Sequence, residues 1–140
     1  MKKTKLIISL ILLLATALTF ASCGAKKNYT PADVAGTYAR QNEGFGGIDK
    51  FTITLTDDGK YQYYETVISS FIGMGDYTID GDTVTIVAEM PGVNGTITHT
   101  FKFKADGKTL VYVADGSDNF TYIKLPDGAV FDKMTDEGSK

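Results

Sequence analysis

The stretch FTITLTDDGKYQYY, residues 51–64, predicts a β-hairpin and decides the fold class of the chain. Its first half alternates large apolar residues with three threonines, which is the period-two pattern of a half-buried strand. Asp58-Gly59 follows, and this dipeptide favours tight hairpin turns because both residues tolerate a positive φ. The second half alternates again, with tyrosines on one face. Residues 51–64 therefore predict two antiparallel strands joined by a tight turn.

The same turn signal recurs along the chain, which extends the prediction from one hairpin to a whole domain. The other dipeptides of this kind are Asp80-Gly81, Asn94-Gly95, Asp106-Gly107, Asp115-Gly116 and Asp127-Gly128. Consecutive hairpins make an antiparallel meander. The predicted strands are 36–41, 50–57, 60–68, 75–80, 83–89, 96–104, 108–114 and 118–125, with a short run near 129–131 that would close an edge. We therefore expect an all-β, up-and-down meander of about eight strands closing into a small barrel.

Two local features complete the structural prediction. TPADVAG, residues 30–36, predicts one or two turns of helix, because Thr30 suits the cap and Pro31 the first helical position. The Asp-rich turns also allow a calcium-loop interpretation, but none has the spaced oxygens of a 12-residue loop closed by a glutamate. A plain turn explains each Asp-Gly without a metal.

The alternation also predicts what fills the barrel. The aromatic residues expected to face inward are Tyr38, Phe51, Tyr61, Tyr63, Tyr77, Phe101, Phe103, Tyr112, Phe120 and Tyr122. The aliphatic residues expected to join them are Ile53, Leu55, Ile79, Val84, Ile86, Ile97 and Leu110. At normal packing density these side chains occupy most of an eight-stranded interior. We expect a mostly filled barrel with at most a shallow pocket at one end.

The first 24 residues have the layout of an export signal. A basic MKKTK precedes the apolar run LIISLILLLATALTF and the small-residue segment ASCG. This layout resembles the bacterial lipoprotein signal, in which Cys23 would receive acyl chains such as palmitate and become the N-terminus. The alternatives are an uncleaved anchor and a free or intermolecularly paired thiol. The resemblance implies a signal peptide at 1–22, a lipid-attached tether at 23–33, the barrel at 34–131 and a flexible tail at 132–140.

Charge limits the classes of partner. The chain has 14 basic and 17 acidic side chains, a formal charge of −3. Without Lys2, Lys3 and Lys5, 11 basic side chains would face the same 17 acidic ones, a formal charge of −6. An acidic surface disfavours nucleic acid and anionic lipid as partners. Attachment to the cell membrane, on its extracytoplasmic face, is therefore expected to depend on the acyl chains at Cys23.

The start of the first strand carries a second resemblance. GTY, residues 36–38, resembles the Gly-x-Trp opening of lipocalin-like barrels, with Tyr38 in the place of the tryptophan. Small lipoproteins with a lipocalin-like domain are similar from this point through YTIDGDTVTI to FTYIKLPDG. The resemblance implies a small β-barrel and a hydrophobic ligand, and it brings no catalytic residue.

Up-and-down order separates the connections into two kinds, one at each end of the barrel. Tight Asp-Gly turns lie at the end where the tether enters, whereas QNEGFGGID, SSFIGMG and MPGVNG lie at the other end. Function is commonly carried by loops on a rigid scaffold. The candidate residues for a ligand or partner face are Phe45, Ile48, Phe71, Ile72, Met74, Met90 and Val93. The alternative is that these apolar residues fold inward and cap the core.

The sequence contains few residues that could carry out catalysis. The single histidine, His99, lies on the apolar face of its strand, where we expect a hydrogen-bonded core histidine rather than a general base. Glu65 is the one acid whose strand position would point inward near it. No nucleophile elbow, phosphate-binding loop or metal-ligand cluster occurs, so no cofactor, metal or catalytic residue is predicted.

Two functions of different classes remain open. The first is a lipid-anchored extracytoplasmic binding module for a small apolar or amphipathic ligand. The second is a cell-surface interaction protein whose apolar loops dock another envelope protein or a peptide.

Overall fold

The computed structural model describes residues 27–42, 49–67 and 72–135. Within these residues, one short helix precedes eight strands, and each strand is antiparallel to its neighbours. The elements are α1 (Pro31–Val34), β1 (Gly36–Gln41), β2 (Lys50–Leu55), β3 (Lys60–Tyr64), β4 (Gly73–Asp80), β5 (Thr83–Gly92), β6 (Gly95–Ala105), β7 (Thr109–Val113) and β8 (Val130–Lys133).

The strands follow one another around a closed barrel in chain order, and β8 pairs with both β7 and β1. This confirms the predicted all-β up-and-down meander and its closure. The glycines of all six predicted turn dipeptides have a positive φ, between 64° and 131°. Local turn chemistry therefore explains the tight turns at Gly59, Gly81 and Gly107, which join consecutive strands, since these conformations are strained for residues with a Cβ.

The predicted eighth strand is wrong in position. Residues 118–125 are irregular, and the wall is completed by β8 at Val130–Lys133, near the run expected at 129–131. Tyr122 is consequently 59% exposed instead of facing inward. β8 also continues through Lys133, two residues past the boundary expected for the tail.

The fifth and sixth strands are longer than predicted. β5 and β6 run in register to Gly92↔Gly95, so MPGVNG is the tip of a hairpin with Val93-Asn94 as its turn and not a long loop. Pro91 fits in this ladder opposite Thr96. Because the pair rises beyond the neighbouring strands, Ile97 is 51% exposed and does not belong to the interior as expected.

Aromatic rings fill the barrel. Phe120 comes from the irregular segment and stacks on Phe101, with ring centroids 3.8 Å apart and planes 7° from parallel. It also meets Phe51 edge-on at 4.8 Å and Tyr63 at 5.5 Å. The remaining predicted interior residues are buried, except Ile79, which is half-buried against the core. Side chains thus occupy the space where a larger barrel holds a ligand.

One end of the barrel, which we call the turn end, carries the short connections at 56–59, 81–82 and 106–108. The predicted helix, α1, covers it and buries Val34 completely. The backbone oxygen of Val34 accepts a 2.7 Å hydrogen bond from the Tyr38 hydroxyl. The Tyr29 amide donates to the oxygen of Gly81 at 2.9 Å, so the incoming chain meets the barrel at the turn end.

Candidate functional site

The opposite end, which we call the loop end, carries the connections after β1, β3, β5 and β7. Three features of the described residues meet there. They are a buried carboxylate after β3, an irregular segment between β7 and β8, and the part of the β5–β6 hairpin that rises beyond the wall.

Glu65 is the centre of the first feature. Its residue is 1% exposed, and its carboxylate accepts three backbone hydrogen bonds. Oε1 accepts from the Thr121 amide at 3.1 Å, whereas Oε2 accepts from the amides of Tyr122 at 2.6 Å and Ile123 at 3.1 Å. A buried carboxylate requires such donors, because burial without them costs several kcal/mol. Glu65 therefore holds a segment that lies more than 50 residues away along the chain.

The irregular segment, residues 117–126, crosses the loop end. It begins beside β6, where Asp118 and Thr100 bond through their backbones at 2.8 Å. It then inserts Phe120 into the core and reaches Glu65 beyond the end of β3. On the way, the Thr121 hydroxyl donates to the sulfur of Met90 at 3.7 Å. We call residues 117–126 the crossing segment, and it closes the mouth of the barrel over the aromatic core.

A second polar cluster fixes the bases of the neighbouring connections. Asp49 is 1% exposed, and its Oδ1 accepts from the Val67 amide at 2.7 Å while its Oδ2 accepts from the Asn42 side chain at 3.0 Å. The same Asn42 amide group donates to the backbone oxygen of Glu65 at 3.0 Å. The ends of β1, β2 and β3 are therefore tied together by a buried network. No spacing rule in the sequence identified it.

Two buried tyrosines of β3, Tyr61 and Tyr63, have raised pKa values. Burial, with a smaller effect of the Glu65 charge, raises the pKa of the Tyr63 hydroxyl well above its usual range. Burial also raises the pKa of Tyr61, whose hydroxyl donates to the backbone oxygen of Val87 at 3.0 Å. Burial favours the neutral form of both phenols, so neither hydroxyl is prepared to act as a base.

His99 does not form the hydrogen-bonded core site that we expected. Its Nδ1 is buried and has no hydrogen-bond partner among the residues that the structure describes. The ring lies parallel to Phe101 at a centroid distance of 6.1 Å. Both oxygens of Glu65 already accept backbone amides, so that carboxylate is committed to holding the crossing segment.

The projecting hairpin, defined as residues 87–100, is the most exposed of the three features. The β4–β5 pairing ends at Tyr77↔Ile86 and the β6–β7 pairing at Lys102↔Val113, whereas β5 and β6 remain paired above these points. Its apolar side chains include Val93 at the tip, which is fully exposed, and Val87, which is 47% exposed. A groove of about 430 Å³ runs along it, lined by Glu89, Met90, Pro91, Gly92, Gly95 and Thr96.

The structure describes four of the predicted site residues, Ile72, Met74, Met90 and Val93, and these four do not share one face. Met90 points inward and is half-buried against the core, whereas Val93 lies at the hairpin tip. Met74 is 64% exposed on the outer wall, and Ile72 is half-buried. Cys23, Phe45, Ile48 and Phe71 lie outside the described residues.

Within residues 27–42, 49–67 and 72–135, no helix has the length and apolarity needed to cross a bilayer. In the same part of the chain, His, Asp and Glu side chains form no group of three able to hold a metal ion.

The fold defines this chain as a closed, eight-stranded antiparallel β-barrel protein with an aromatic core. No protein-family model, no curated protein and no solved structure matches it.

Proposed function

We propose that this protein is a lipid-anchored interaction module of the extracytoplasmic cell surface, which docks another envelope protein or a peptide at its loop end. The observation that carries the proposal is the projecting hairpin. It presents Val87, Val93 and Ile97 to solvent on a barrel whose interior is filled by its own rings. Projecting connections held on a rigid scaffold commonly carry binding functions.

The orientation of the molecule supports this assignment. The amide of Tyr29 bonds to the turn end, so a tether from an acylated Cys23 would approach that end. The hairpin tip at Val93 belongs to the opposite end and would face away from the membrane. Anchoring on Cys23 rests on the lipoprotein-like signal, with two or more acyl chains giving stable attachment.

Photo-cross-linking in cells tests the docking. A photoreactive phenylalanine analogue at Val93 is expected to form an adduct with a polypeptide, whereas the same analogue at Asp57, in a turn-end connection, is expected to form none. Equal adducts from both positions, or none from Val93, would contradict docking at the loop end.

A separate variant tests the anchor. Cys23→Ala is expected to move the protein from the membrane fraction to the soluble fraction, or to leave the precursor unprocessed. Unchanged fractionation together with unchanged electrophoretic mobility would refute lipid attachment.

The groove beside Met90 favours a second candidate, a small amphipathic ligand. It combines the Glu89 carboxylate with the apolar surfaces of Met90 and Pro91, and the lipocalin-like opening at GTY also implies a hydrophobic ligand. Native mass spectrometry of the full chain distinguishes the two candidates. Bound small-molecule mass supports the ligand, and an adduct-free spectrum supports the docking function.

A further inference from the structure

The backbone of β6 has an outward direction that can be worked out from its hydrogen bonds. The Thr100 amide donates to the Asp118 carboxylate at 2.7 Å, and the Thr100 oxygen accepts from the Asp118 amide at 2.8 Å. Asp118 follows β7, so both backbone groups of Thr100 point away from β5. In an antiparallel ladder this direction repeats at every second residue. The amides and oxygens of Thr98 and Thr96 therefore point to the same side.

The opposite strand gives an independent check. Val87 pairs with Thr100, so its backbone groups must also point out of the hairpin, on the β4 side. The Val87 oxygen indeed accepts the hydroxyl of Tyr61 from that side at 3.0 Å. By the same alternation, Glu89 and Pro91 face the β4 side as well.

The two edges of the projecting hairpin differ in how they are protected. On the β5 edge, Tyr61 occupies the oxygen of Val87, Glu89 adds an exposed charge, and Pro91 has no amide to offer. Charges and proline on an edge are the usual devices against strand addition. On the β6 edge, residues 95–99 have the sequence GTITH, which contains no proline, Asp, Glu, Lys or Arg.

The β6 edge is also unpaired. Its pairing with β7 ends at Lys102↔Val113, and Asp118 bonds only to Thr100 beyond that point. Among residues 27–42, 49–67 and 72–135, no group bonds to the outward amides and oxygens of Thr96 and Thr98. Both residues are exposed. The β6 side of the projecting hairpin therefore keeps one short open edge at the loop end.

We infer that this edge, residues 95–99, receives an extended segment of a partner polypeptide as an added strand. The inference rests on the docking function proposed above and names the chemistry of the partner. Two donors and two acceptors, repeated every two residues or about 7 Å, match the backbone of a β-strand. Asp118 already occupies the adjoining position of such a strand, and Ile97, half exposed between the two threonines, supplies an apolar contact.

The size of the edge indicates which kind of partner can bind to it. A stable dimer buries about 800 Å² per partner, from roughly 20–30 residues a side. An edge of five residues is far smaller than that, whereas peptide recognition by strand addition needs only a few main-chain hydrogen bonds and one or two side-chain pockets. The occupant is therefore an extended segment of another protein, and edge-to-edge pairing of two copies of this chain is the competing outcome.

The test uses the full chain in detergent and a displayed library of random dodecapeptides as the probe. The tightest selected peptide is titrated against the wild type, Thr98→Pro and Thr98→Ala. Thr98→Pro removes an outward amide that the hairpin ladder does not use, and Thr98→Ala keeps it. We expect Thr98→Pro to weaken binding at least tenfold and Thr98→Ala to change it less than threefold.

Amide hydrogen exchange provides a readout without any variant. Exchange at Thr96 and Thr98 is expected to slow at least tenfold when the peptide is bound, and it remains informative if Thr98→Pro does not fold. Suppose that bound peptide slows exchange elsewhere on the loop end and that a folded Thr98→Pro variant keeps its affinity. This result would refute strand addition at residues 95–99, but it would not contradict the docking function. If the protein forms concentration-dependent dimers and Thr98→Pro abolishes them, the edge pairs with a second copy of this chain and not with a segment of another protein. Failure to select any peptide would overturn the inference, while the Val93 cross-link tests the docking function separately.

Discussion

Replacing Glu65 tests the central contact of the loop end. Glu65→Ala removes the acceptor of three backbone amides, those of residues 121–123. A hydrogen bond to a charged group contributes about 1.5–3 kcal/mol, and an unsatisfied buried donor costs about 1–3 kcal/mol. Thr121 and Tyr122 have exposed side chains, so water will satisfy part of the loss. We expect the free energy of unfolding to fall by about 3 kcal/mol, which lowers Tm by roughly 12 °C for a domain of this size.

A conservative variant and a matched control sharpen this prediction. Glu65→Gln keeps one acceptor oxygen but turns an amide group toward the remaining donors, so we expect about half the loss of Glu65→Ala. Glu89→Ala removes an exposed acid of the same barrel and is expected to change stability by less than about 0.5 kcal/mol. Urea unfolding of the full chain in detergent measures all three variants. A Glu65→Ala variant within 1 kcal/mol of the wild type would refute the holding role of this carboxylate.

Three further predictions concern the core. Gly73→Ala is expected to lower the free energy of unfolding, measured in urea, by about 2 kcal/mol, because a Cβ there would collide with the Tyr63 ring. Unchanged stability would mean that this ring does not pack against β4 at Gly73. Phe120→Ala should cost about 3–5 kcal/mol in the same assay, against less than 1 for Tyr122→Ala, and equal losses would contradict insertion of the crossing segment. Burial, aided by the nearby Asp106 charge, raises the pKa of Tyr38 to about 12. A phenol in the unfolded chain ionises near pH 10. The contribution of the neutral Tyr38 to the free energy of unfolding is therefore complete below pH 10 and is lost as the pH rises toward 12. Absorbance at 295 nm and circular dichroism should therefore change together in that range, and tyrosine ionisation well before unfolding would argue against it.

The wall of the barrel was predictable because its signals are local. Alternating side chains and an Asp-Gly turn lie within a dozen residues of each other in β2 and β3, and the structure pairs these strands in the expected way. The helix at Pro31–Val34 was predictable for the same reason, from a cap and a proline at adjacent positions. In each case the physics that selects the conformation acts between near neighbours in the chain.

The loop end was not predictable, because its determinants are distant in sequence. Residues 118–125 alternate like a strand, yet their amides bond to Glu65, which no local pattern can indicate. Pro91 and Gly92 read as loop signals, but Pro91 stands opposite Thr96 with its missing amide on the outward side, where the hairpin needs none. Glu65 itself was recognised only as an acid that would point inward.

The closure of the barrel by β8 has a consequence for how the molecule comes into being. Residues 130–133 supply the second neighbour of β1, which lies almost a hundred positions earlier. During synthesis β1 therefore lacks its second neighbour until residues 130–133 have been added to the chain. Contacts of such long range form slowly, so closure of the barrel between β1 and β8 is expected to be a late step in folding.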